Sequence, residues 1–236
     1  MRGLAIIAAV MCAGAVHVHA QDDPLVFTPP AGCVGDLTIQ GRSCEVTHIY
    51  NCAADTAGER WSITFDAFGP RYIGKVDRET QWLESYDLFP TKRYVLVQPA
   101  DDPASLTELM ETGVDSFDFQ QRGPDEVQRF VGFDRIVSDS VVIDGETLLQ
   151  TEFSVRREST KDGDFTVTGT EYIIPRLRHF LSGSYRIDRD GTTTELELTP
   201  IDFIYSGEPG FFATTPLYEC EPTLARYASP TKGTDK

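Results

Sequence analysis

The chain has 236 residues, 40% of them hydrophobic and 25% charged, with a formal net charge of −16 at pH 7. That acidity excludes electrostatic binding to nucleic acid and simple adsorption to anionic lipid, because both recruit basic patches. It leaves open an apolar ligand and a protein partner, and the length is enough to bury a real core.

The first twenty residues read as a secretory signal peptide: Arg2, an apolar run from Leu4 to Val16, and Val18-His19-Ala20 before Gln21. The run is too short to span a bilayer as a helix, and the small side chains suit cleavage between Ala20 and Gln21. Cys12 does not mark a lipidation site, since Met11 precedes it and Ala13 to Val16 continue the apolar run. Residues 1–20 hold Arg2 and no acidic residue, so their removal takes the formal charge from −16 to −17. No later segment is apolar for long enough to cross a membrane as a helix. Sixteen Arg, five Lys and one Asn suggest a GC-rich bacterial genome, which with the signal peptide points to the periplasm or to secretion.

Four cysteines follow residue 20: Cys33, Cys44, Cys52 and Cys220. An even number in an exported chain implies two disulfides. Cys44 and Cys52 would stand about 26 Å apart in one strand and about 12 Å in one helix, whereas a bridge needs Cα atoms within about 7 Å. A hairpin of Leu37–Gln40 with Glu45–His48, turning at 41–44, would set Cys33 opposite Cys52 and leave Cys44 for Cys220.

Residues 21–32, with Pro24, Pro29 and Pro30, form an extended leader without periodicity. Period-two alternation then begins: Trp61, Ile63 and Phe65 share one face of a strand, and strands follow at 71–76, 81–88 and 93–98. One helix is expected, with Asp102 as N-cap, Pro103 at its first position, Leu106, Leu109 and Met110 on one face, and Gly113 as its stop. Strands return at 114–121, 127–137, 148–157, 165–174, 180–187 and 193–205, with Asp144-Gly145, Asp162-Gly163 and Asp190-Gly191 as tight hairpin turns. The fold class is therefore all-β and mainly antiparallel. It forms one domain over 33–221, a strongly curved sheet, half-barrel or barrel of roughly ten strands with one short covering helix, before a disordered tail over 222–236. The layout resembles the half-barrel lipoprotein carriers of the bacterial envelope, or a lipocalin-type barrel, at the level of fold alone.

Motifs for chemistry are sparse. Cys44-x3-His48-x3-Cys52 offers zinc-type ligands, but an oxidising compartment favours disulfides, and no metal or other cofactor is assigned. Arg176 and Arg178 fall on one face of an assumed strand and could contact an anion or a partner, with neutralisation of nearby carboxylates as the plainer role. No Gly-x-Ser-x-Gly accompanies His48 or His179, and Ser182-Gly183-Ser184 near His179 suits a turn. Asp188-x-Asp190-Gly191 departs from a calcium loop because Arg186 stands at the first ligand position. Strand aromatics, among them Tyr72, Trp82, Phe153 and Tyr185, make core or, in an incompletely closed sheet, line an apolar cavity. The leading expectation is an exported, non-enzymatic protein binding a hydrophobic, lipid-like ligand in or beside the curved sheet. The alternatives are an envelope assembly factor binding another protein through a sheet face or edge, and a hydrolase using His179 or His48.

Overall fold

The computed structural model describes residues 25–221. The expected cleavage site at Ala20 and Gln21 and the expected tail over 222–236 lie outside them. The alternating segments build one antiparallel sheet of 14 strands that curves without closing. β1 (Cys33–Gly41) and β2 (Glu45–Cys52) form the first hairpin, and β3 (Arg60–Asp66), β4 (Gly69–Val76), β5 (Trp82–Leu88) and β6 (Thr91–Asp102) continue the meander. After α1 (Leu106–Thr112) come β7 (Val114–Arg122), β8 (Val127–Ile143), β9 (Glu146–Ser159) and β10 (Phe165–Ile174). A 3-10 turn over Pro175–Leu177 leads to β11 (His179–Leu181), β12 (Ser184–Arg189), β13 (Thr192–Glu197) and β14 (Pro200–Ile204).

Each strand pairs with its neighbour in sequence, except that β10 takes both β11 and β12 and β14 lies beside β1. The expected run 180–187 is thus two strands. They part at Gly183, where a Cβ would come 2.2 Å from the Thr170 carbonyl oxygen. The expected strand over 193–205 also divides. Its first half pairs with β12 and its second with β1, and the chain passes through Leu198 and Thr199 without a turn. There the Leu198 N–H donates to the Gly183 carbonyl, and the Thr199 carbonyl accepts from the Arg42 N–H.

Two of the Asp-Gly pairs make the expected turns, with positive φ at Asp144 (43°), Gly145 (78°), Asp190 (50°) and Gly191 (77°). Asp162-Gly163 instead sits in a longer loop, with positive φ at Gly163 alone and with the Asp164 carboxylate accepting from the Ser159 N–H. The helix also starts later than expected. Asp102 ends β6, and Ser105 caps α1 by accepting the Glu108 N–H at 3.1 Å. A serine in extended conformation supplies the orphan-donor cap that Asp102 is too far upstream to give. Gly113 stops the helix at φ 85°, Leu106 and Leu109 are buried with Ile173, and Met110 is exposed.

The first strands bury both faces. On the inner face, Leu37, Ile39 and Ile49 pack with Phe203, Leu148, Tyr172 and Ile174. On the outer face, Val46, Tyr50, Ile63 and Phe65 lie under Phe27 from the leader and Phe211 and Phe212 from the chain after β14. Trp61, Ile63 and Phe65 do share a face, and it is the outer one. Gly35 is required there, because a Cβ would stand 2.6 Å from the Phe212 ring. Disulfides Cys33–Cys52, within the β1–β2 hairpin, and Cys44–Cys220 hold this layer in place.

Candidate ligand cavity

The curvature that separates the inner faces of β3–β5 from those of β7–β12 leaves a cavity of about 420 Å³. This lies within the range of small-molecule sites. Its wall is rich in aromatic side chains, among them Tyr72, Trp82, Phe117, Phe119, Phe153 and Tyr185. Trp82 is 40% exposed and stands edge-on to Phe119 at 5.5 Å, at a wet edge of the cavity. Phe153 meets Tyr185 edge-on at 5.4 Å. A smaller void of about 170 Å³ adjoins it and shares Ser62, Tyr72, His179, Phe180 and Ser182.

Three carboxyls line this cavity: Glu84, held by Arg93 at 2.8 Å and by the Tyr86 hydroxyl at 2.8 Å, and then Asp134 and Glu171. Asp134 on β8 is opposite Phe153 on β9, which is opposite Gly169 on β10, and Glu171 follows two residues along the same face of β10. Burial raises the Asp134 carboxyl, and the neighbouring charges of Glu171 and Asp115 raise it further. Burial likewise raises Glu171, against the hydrogen bond that Tyr185 Oη donates to it at 2.8 Å. Like charges in low dielectric share protons, so the two titrate as a pair. Among the described residues neither Asp134 nor Glu171 has an ion-pair partner. Lys75 also borders the cavity, but its ammonium reaches Asp55 at 2.8 Å and Glu59 at 2.6 Å and sits 5.1 Å from the Trp61 ring centre.

His179, the first residue of β11, completes the polar set. It is 8% exposed, forms part of the wall, and its buried Nδ1 has no hydrogen-bond partner among the described residues. Burial, with the Arg60 guanidinium nearby, lowers its pKa to about 4, so the ring is neutral at pH 7. The cavity therefore combines aromatic side chains with two carboxyls, Asp134 and Glu171, that have no ion-pair partner among the described residues.

The other sequence-selected residues lie elsewhere. Arg176 and Arg178 do not share a strand face. Pro175, lacking an N–H, opens a 3-10 turn, and Arg178 takes a left-handed cap conformation at φ 48°. Arg176 pairs with Glu146 at 3.1 Å and lies over Tyr205, while Arg178 binds Glu79, the Arg78 carbonyl and Thr107. Both guanidinium groups are thus engaged within the chain. His48 is fully buried on the outer face, stacked on Phe212 at 4.6 Å with Nδ1 3.0 Å from Thr38 Oγ1, remote from the cavity wall. Cys44 and Cys52 belong to different disulfides, and no metal-ligand cluster occurs among the described residues. Ser184 bonds Thr170, and Ser182 borders the cavity.

Asp134, Glu171, Phe117 and Phe119 escaped the sequence reading. Their one sequence signal is a carboxylate inside an alternating apolar run, and β8 carries apolar residues on both faces, which hides it. No family model, curated protein or solved structure matches this chain. Two disulfides fit an oxidising, extracytoplasmic environment, and no helix among the described residues is long and apolar enough to cross a membrane.

Proposed function

We propose that this is an exported, non-enzymatic protein, periplasmic or secreted, that binds a hydrophobic, lipid-like molecule inside its curved sheet. The observation that carries the reading is the aromatic cavity of about 420 Å³. Filled cores are close-packed, and a void of this size beside Trp82 costs dispersion contacts that an apolar occupant restores. Native mass spectrometry of the protein purified from the periplasm of a bacterial host, compared with its denatured mass, tests this. A bound mass present only in the native spectrum is expected. A bare mass at every stage of gentle purification overturns the reading.

A second reading rests on the outer face of β8, where Val131, Phe133, Val137 and Val142 are 36–64% exposed. Such a patch suits a protein partner in the envelope. A bare native mass together with capture of a defined envelope protein, lost in a Phe133→Ser variant, would favour it over the carrier.

A further inference from the structure

We infer that the ligand's polar end is a protonated amine seated on Asp134 and Glu171, so that the cavity selects apolar-bodied cations over alcohols and carboxylates of the same chain length. The inference rests on the cavity being a binding site, and it adds the head group. Asp134 and Glu171 line one void with the unpartnered His179 Nδ1, and the cations nearest the wall are held elsewhere, Lys75 by Asp55 and Glu59 and Arg93 by Glu84. A buried carboxylate without a counter-charge is costly, and a protein retains one where a ligand completes it. An alkylammonium carries three donors and no acceptor. That matches a site rich in acceptors, whereas a carboxylate head would meet like charge. Trp82, Phe117, Phe119 and Phe153 line the same void, and aromatic rings attract a desolvated cation. His179 stays neutral under its burial, so its ring opposes no incoming cation.

The test uses the disulfide-intact protein with dodecylamine, dodecanol and dodecanoate, each below its micellar concentration at pH 7.5, by isothermal titration calorimetry. Dodecylamine is expected to bind at least about tenfold more tightly than dodecanol, with dodecanoate weakest. In an Asp134→Asn/Glu171→Gln double variant that preference is expected to collapse to within about threefold while dodecanol affinity holds. Asp134→Asn alone serves the same purpose if the double variant does not fold. Equal affinity for amine and alcohol, or an amine preference that survives the substitutions, overturns the head-group assignment and leaves the hydrophobic cavity standing. Failure of all three probes to bind overturns the cavity reading and this inference with it.

Discussion

The outer and inner faces of β1–β4 follow the same alternation of side chains, yet they meet opposite fates. The outer face is packed under Phe27, Phe211 and Phe212 and sealed by a disulfide, and the imidazole buried within it, His48, is held neutral. The inner face, continued around β7–β12, keeps a void and two carboxyls without a counter-cation. Packing is complete where the chain folds back over its own sheet, and incomplete where the inner faces of β3–β5 and β7–β12 stand apart. The inner face is itself close-packed where β1, β2 and β14 meet Leu148, Tyr172 and Ile174, and it opens only between β3–β5 and β7–β12.

The largest blow to this contrast is removal of the bridge that pins the outer layer. By loop closure, Cys44→Ala/Cys220→Ala frees a span of 176 residues, and Cys33→Ala/Cys52→Ala one of 19. The expected losses in urea unfolding are about 5 and about 3 kcal/mol, and equal losses would show that the tail is not held through Cys220. Next comes Phe212→Ala, expected to cost about 3 to 5 kcal/mol because the ring fills space against His48, Phe27 and Gly35. Phe153→Ala, which opens onto an existing void, is expected to cost under about 2 kcal/mol. A reversed order would mean that the inner face is the better packed.

The remaining effects are those of pH, and they have opposite signs on the two faces. The His48 pKa is lowered to about 4 from 6.5, so the unfolded chain binds the proton more readily. Its contribution is present above pH 6.5 and lost as pH falls toward 4, amounting to about 3 kcal/mol. The ring faces Thr38 and the aromatic rings of Phe27, Phe65 and Phe212, and the pKa shift is due to burial alone. The carboxyls of Asp134 and Glu171, which face each other, Asp115 and Tyr185, are raised instead, and their penalty grows as pH rises. His48→Gln is therefore expected to flatten the acid limb of a stability–pH curve. Asp134→Asn is expected to stabilise at pH 8 by on the order of 1 kcal/mol and to do nothing at pH 4. Both are read from urea midpoints across pH 4–8, and destabilisation of Asp134→Asn at pH 8 would show that the carboxylate is satisfied in place.

Much of the architecture was legible because it rests on local chemistry. Cysteine spacing and the turn at 41–44 set the β1–β2 register, Asp-Gly pairs marked two hairpins, and Gly113 ended the helix. The helix starts later than its local signals indicate, because Pro103 and Asp102 mimic a cap while Ser105, three residues past Asp102, makes it. The cavity was legible only as a consequence of incomplete closure, and its carboxyls not at all. Asp134 and Glu171 are 37 positions apart in the chain and meet only through the β8–β9–β10 register. Arg176 and Arg178 share a face only if their segment is a strand, and their partners Glu146 and Glu79, 30 and 99 residues away in the chain, carry no local signal.

Leu198 and Thr199 carry a mechanical consequence. One extended run serves both margins of the sheet, β12 for its first half and β1 for its second, and it is hydrogen-bonded to each side at the handover. Three Cα steps join Glu197 at the end of β13 to Pro200 at the start of β14, at most about 11 Å, so these ends cannot part by more than that at this level, whatever enters. The seam behaves as a hinge with a fixed pin: any swelling to admit a bulkier guest must splay the strands away from Leu198 and Thr199, as a wedge and not as a uniform dilation.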